Sequence, residues 1–220
     1  MIHVYVLVEG QTEESFINEV IAPHYAPRGV YFSAILVETR RGHKGGLVSY
    51  AKVKPQIERV CKEHHRAGAY VTTFFDLYAL PTDFPHKQHP TYLALNDPYA
   101  KVQYLEQQLS ADIAYPHFVP FIMLHEFEAL LFVEPQRFAD WTDSSTVIER
   151  ITQISQSYDS PELINDSPQT APSKRILGLM PSYDKVVQGT CIAADIGLDR
   201  LRARCPHFDG WLNVLEQRLS

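Results

Sequence analysis

Four runs of mostly apolar residues organise the first part of this 220-residue chain: IHVYVLV at 2–8, VYFSAILVE at 30–38, AYVTTFFDL at 69–77 and HFVPFIML at 117–124. Between them lie stretches with helical spacing at 12–25, 48–66 and 98–110, and another follows at 125–133. In the first of these, Phe16, Ile17, Val20 and Ile21 share one stripe. Strands that are apolar almost throughout have no solvent face. Their alternation with helices therefore predicts an α/β fold: about four mainly parallel strands with helices on both faces. ETRRGHKGG after the second run and the proline-rich YALPTDFPHKQHPTYLALNDP after the third read as loops. Beyond about residue 139 the strand pattern stops, and helical stretches at 144–157, 173–180, 190–204 and 207–219 take over. The expected organisation is an α/β core over 1–138 with a helical appendage, 139–220, packed on it.

Composition sets the class. With 45% hydrophobic and 21% charged residues the chain is an ordinary soluble globular protein. No apolar run reaches the length of about 18 that a membrane span needs. The opening MIHVYVLVEG has no basic segment and runs into the fold, so no signal peptide is expected. Cys61, Cys191 and Cys205 are widely spaced without a CxxC pair, which suggests reduced thiols in a cytoplasm. The ten histidines form no HxH or HExxH motif, so zinc is not indicated. A net charge of −6 does not advertise duplex binding, though it leaves room for a local basic site. The first turn, EGQTE, lacks GxGxxG, which weighs against a dinucleotide site.

Sites in open parallel sheets form outside the carboxyl ends of the strands. Three of the four strands end in acids. Glu9 follows the first, Asp76 closes the third, and Glu126 and Glu128 follow the fourth in LHEFEALLF. Carboxylates that converge repel and raise one another's pKa unless a cation lies among them. Hard oxygen ligands of this kind suit Mg²⁺ or Mn²⁺. Plainer roles stand beside this one. Glu13 and Glu14, after Thr12, suit the positive end of a helix, and for Glu14 that role suffices. Asp76 could cap a turn. On an ideal helix Glu126 and Glu128 point about 200° apart, so one of them is enough for a site. His125 could be a general acid or base, or a hydrogen-bonded structural residue.

Arg40, Arg41, His43 and Lys44 lie among Gly42, Gly45 and Gly46 in the loop after the second strand. Glycines let backbone approach a phosphate and arginine can hold it bidentately, so this loop is a candidate nucleic-acid contact; the alternative is a solvated surface loop. Lys174 and Arg175, after SPQTAPS, read as surface charge behind a helix cap.

VEGQTE after a first strand, with a later strand ending in Asp, resembles the TOPRIM fold of topoisomerases, primases and OLD-family nucleases. The fuller set VEGQTEESFINEVIAP, ETRRGHKGG, TTFFDLYALPTDFP, LHEFEALLF and PSYDKVVQGTCIAADIGL resembles a bacterial family of TOPRIM-like proteins, nearly end to end. The resemblance implies a Mg²⁺- or Mn²⁺-dependent phosphoryl-transfer centre with Glu9 as the first acid and Asp76 as the first acid of a DxD pattern. The second DxD position is Tyr78, a departure that Asp83 or Glu128 could offset, with Glu13 also near the first acid. Glu128 matches the EAL-type block better than Glu126. The resemblance further implies a nuclease acting on DNA or RNA, and association with AAA/ABC- or SMC-type ATPases in phage defence. Two function classes follow: a metal-dependent nuclease, or a non-catalytic subunit that binds such an ATPase.

Overall fold

A computed structural model of the chain describes residues 1–40, 43–44, 47–65, 67–164 and 169–219, with backbone alone at 39–40, 43–44 and 219. Strand β1 (Ile2–Val8) lies at the centre of the sheet, paired in parallel with β2 (Val30–Leu36) and β5 (Ala69–Asp76). β5 in turn pairs in parallel with β6 (Phe118–Val119) and β7 (Ile122–Met123), giving the order β2-β1-β5-β6 with β7 beside β5. The expected parallel sheet is therefore present, with its fourth strand in two pieces. Pro120 lies in the gap and has no backbone N–H for a ladder. The Thr73 hydroxyl bridges the break, accepting from Phe121 N at 2.9 Å and donating to Phe121 O at 2.8 Å.

Side chains alternate across the sheet as strand geometry requires. On one face Val4, Val6, Val8 and Phe74 pack against α1 (Gln11–Phe16) and the C-terminal helices α8 (Thr190–Ile196), α9 (Leu198–Arg204) and α10 (Pro206–Leu219). On the other, Leu7, Val71 and Phe75 pack against α3 (Tyr50–Glu63) and α5 (Pro98–Ile113). The C-terminal helices thus share one apolar cluster with the strands.

Several elements differ from the sequence pattern. The helix expected at 12–25 contains a π turn, Ile17–Ile21, between α1 and α2 (Ala22–Tyr25). The basic stretch expected as a loop pairs β3 (Glu38–Arg40) with β4 (His43–Lys44) as an antiparallel hairpin. The proline-rich loop contains α4 (Pro90–Ala94), whose first turn Pro90 suits because its missing N–H is unpaired there anyway. The segment after the fourth strand forms 3₁₀ turns over Phe127–Val133, not an α-helix. The stretch 190–204 is divided at Gly197, whose φ of 82° ends α8 before α9 begins. Helices α6 (Ser145–Gln156) and α7 (Pro172–Leu179) complete the chain. Among the described residues no helix is long and apolar enough to cross a membrane.

Trp211, on α10, ties that helix to the sheet. Its Nε1 donates to Thr72 Oγ1 at 2.9 Å, and its ring stacks on Phe121 at 4.5 Å. Trp211→Ala is expected to cost about 3–5 kcal/mol of unfolding free energy, the usual range for emptying a buried aromatic site. Trp211→Phe should cost about 1 kcal/mol through the lost donor. Urea denaturation measures both; a small effect of Trp211→Ala would mean that α10 contributes little to the folded core.

Candidate functional site

Parallel pairing brings the carboxyl ends of β1, β5 and β7 to one edge. Val8 is level with Phe74, and Asp76 with Met123, so Glu9 and the segment 124–128 flank Asp76. Glu9 Oε1 accepts from Asp76 N at 2.7 Å. Asp76 Oδ1 accepts from Phe127 N at 3.1 Å. Glu126 Oε2 accepts from Ser173 N at 3.0 Å, at the start of α7. Glu128 Oε1 stands 2.7 Å from Lys185 Nζ, which begins a π turn, Lys185–Gly189. Glu13 reaches the same place from the first turn of α1. A Cβ at Gly10 would lie 3.0 Å from Glu13 Oε2, so glycine keeps room for that carboxylate beside the strand end.

Burial makes this cluster electrostatically costly. Glu9 and Glu128 are only 6% and 2% exposed. Desolvation and then Glu13 push the Glu9 carboxyl from 4.5 up to about 8, against donation by the backbone of Asp76 and Leu47 and attraction by Lys87. Asp76 is pushed well up by desolvation and by Glu13, Glu9, Glu128 and Glu126. Glu13 is raised by burial and by Glu128. Glu128 is raised by burial in spite of Lys185. Burial alone would lower the Lys185 pKa, yet Glu128, Glu126 and Asp76 hold it up. The site therefore favours protons or cations, and the lysine is one such cation.

Of the acids read from the sequence, Glu9, Glu13, Asp76, Glu126 and Glu128 are brought together. Glu126 sits in extended backbone directly before the 3₁₀ turns and Glu128 inside them, and both act on Asp76. Asp83 is engaged elsewhere. It accepts from Ser49 Oγ at 2.7 Å and from Tyr50 N at 2.9 Å, holding the start of α3. Tyr78 is 42% exposed and its backbone N–H donates to His125 O. His125 has a left-handed backbone, φ 70°, directly before Glu126. The expected phosphate contacts at Arg40, His43 and Lys44 fall on residues described by backbone alone, and Arg41 lies outside the described residues. Among the described residues no three acidic, histidine or cysteine side chains stand in a ready ligand set. Glu9, Asp76 and Glu126 each have one oxygen turned to a backbone N–H.

Sequence reasoning missed three residues here. Lys185 and Lys87 supply the positive charge, and Tyr183, buried beside Glu128, has its phenol pushed up by desolvation and by that carboxylate. The signal for two of them was the polar SYDK between helical stretches, which periodicity alone does not interpret.

A family model described as Domain of unknown function (DUF4276) matches residues 8–216. The chain belongs to the DUF4276 family. That match spans every acid of the cluster and Lys185. No curated protein matches this DUF4276 chain. Among solved structures, the C-terminal region of the Burkholderia pseudomallei OLD protein is similar at 14% identity and a TM-score of 0.47, over 99% of each chain.

Proposed function

We propose that this DUF4276 protein is a metal-dependent nuclease that cleaves phosphodiesters of DNA or RNA. The observation that carries this reading is the convergence of five carboxylates, from α1, the end of β1, β5 and the segment after β7, in one largely buried place, where burial and mutual repulsion raise the pKa of Glu9, Glu13, Asp76 and Glu128. Acids that converge in this way repel one another. A bound cation would relieve it. Glu9, Glu13, Asp76 and Glu128 offer only hard oxygen donors, which fits Mg²⁺ or Mn²⁺, with Glu126 as a further ligand. The ion would stabilise charge on a phosphate and activate a water for attack.

The chain's own groups have separable roles. The N–H bonds from Asp76, Phe127 and Ser173 hold three of the carboxylates in place. Lys185, with its side chain 45% exposed, presents a positive charge between buried Glu128 and solvent, where a phosphate oxygen would arrive. The TOPRIM-like VEGQTE pattern supports the same reading, and the basic hairpin after β2 would hold the strand. A second reading, a non-catalytic subunit that binds an ATPase, is favoured by the exposed Tyr78 at the position where the DxD pattern has its second acid.

One assay separates them. Purified protein is incubated with single-stranded and duplex DNA and RNA, with Mg²⁺, with Mn²⁺ or with EDTA. Cleavage that needs the divalent ion and disappears in Asp76→Asn supports the nuclease. Absence of cleavage, together with absence of a metal-dependent rise in melting temperature, supports the second reading.

A further inference from the structure

Helices α6 and α7 form the walls of a groove of about 660 Å³. Arg150, Lys174 and Arg175 line it, together with Ile154, Tyr158 and Leu179. Among the described residues none of its three cations has a carboxylate partner. Arg175 is held by the fold. Its Nε donates to Thr170 O at 2.6 Å, its Nη2 donates to Tyr158 Oη at 3.1 Å, and its guanidinium lies 5.9 Å from the Tyr158 ring centre. Arg150 and Lys174 are exposed. Arg150 makes one bond, to the neutral Gln153 at 3.1 Å.

Helix α7, one wall of the groove, touches the carboxylate cluster at its first turn. Ser173, whose N–H holds Glu126, directly precedes Lys174. Gly178 lies one turn beyond Lys174 on the same face, and a Cβ there would meet nothing within 4 Å.

We infer that this groove binds single-stranded nucleic acid next to the cleavage centre. Phosphates would sit on Arg150 and Lys174, and a base would lie on Ile154 and Leu179 beside Tyr158. Cations that track a backbone, combined with an apolar and aromatic floor, are what sequence-tolerant single-strand binding requires. A duplex keeps its bases stacked inside and cannot use that floor. The inference rests on the nuclease reading for its substrate class.

The test is fluorescence anisotropy with a labelled single-stranded oligonucleotide about 16 nucleotides long and its duplex, in EDTA so that no cleavage occurs. Two variants are compared with the wild type. Arg150→Ala/Lys174→Ala removes both exposed cations. Gly178→Glu places a carboxylate in the groove without removing a packed side chain. Each is expected to weaken single-strand binding about tenfold or more at low salt. The double variant should also reduce the salt slope by about 0.7 for each lost contact. The metal-dependent rise in melting temperature should remain in both variants. Unchanged affinity and slope would overturn the inference, as would a wild type that binds no single strand. Equal losses on the duplex would overturn the single-strand assignment. A wild type that binds in this groove but shows neither cleavage nor a metal-dependent rise in melting temperature would leave the groove standing and remove the nuclease reading.

Discussion

Asp76→Asn and Glu9→Gln should each lower the proposed metal-dependent cleavage by at least about 10²-fold, the scale on which removing one preorganised charge acts in an active site. Both replacements keep the local architecture. The amide oxygen of the first can still accept from Phe127 N, and that of the second from the backbone N–H at position 76, so what is lost is charge. The metal-free protein should report the same charge with the opposite sign. Glu9 holds its proton to about 8 in the folded chain, whereas an ordinary carboxyl releases it near 4.5. Between those values the folded state binds more protons than the unfolded one, so stability falls as pH rises through this window. Glu9→Gln cannot lose that proton. In EDTA it should therefore be more stable than wild type at pH near 8, by an amount on the order of a few kcal/mol, and should match it near pH 4. A variant inactive in cleavage yet stabilised without metal is hard to explain as a folding defect.

Lys185→Ala is the second large effect, and it should separate catalysis from metal binding. Lys185 Nζ is the cation 2.7 Å from buried Glu128. Its removal leaves that carboxylate without its neighbour, which should cost about 1–3 kcal/mol in EDTA at neutral pH, less than for a fully buried pair because the lysine is half-exposed. The loss should shrink as pH falls and Glu128 takes up a proton. Divalent affinity should be kept or increased, because a competing positive charge has left the cluster. Cleavage should nonetheless fall by about 10²-fold if Lys185 carries charge for the phosphate. Cleavage and melting temperature with Mn²⁺, measured on the same preparation, check this. A Lys185→Ala protein that keeps full activity would make the lysine a structural counter-ion.

The course of the chain was legible where local pattern and burial agree. The continuous apolar runs at β1, β2 and β5 do form a parallel sheet, and parallel pairing places Glu9 and Asp76 at one edge. Periodicity could not show that Pro120 splits the last strand, because the neighbours that replace its ladder bond come from Thr73, far away in sequence. It also could not show that Glu126 lies in extended backbone ahead of 3₁₀ turns over 127–133, an arrangement in which both Glu126 and Glu128 act on Asp76. Asp83 illustrates the reverse case. The resemblance offered it as an offset for Tyr78, and in the fold its oxygens accept at the start of α3. Lys185 was hidden for a simple reason: a single lysine between helical segments looks like surface until a fold places it against a buried acid from another segment.

The central claim is that the carboxylate cluster is built for a divalent ion. Thermal unfolding of the wild type from pH 5 to 8, in EDTA and in Mn²⁺, tests it most directly. Melting temperature in EDTA should fall as pH rises, since burial holds the proton on Glu9 up to about 8. Mn²⁺ should reverse the fall. At a hundredfold excess over Kd the ion should add about 2.7 kcal/mol, a rise of roughly 5–10 °C for a chain of this size. The rise should be largest at pH 8 and small at pH 5, because protons compete for the same oxygens. A melting temperature that is flat across this range in EDTA and unmoved by Mn²⁺ at pH 8 would contradict the account.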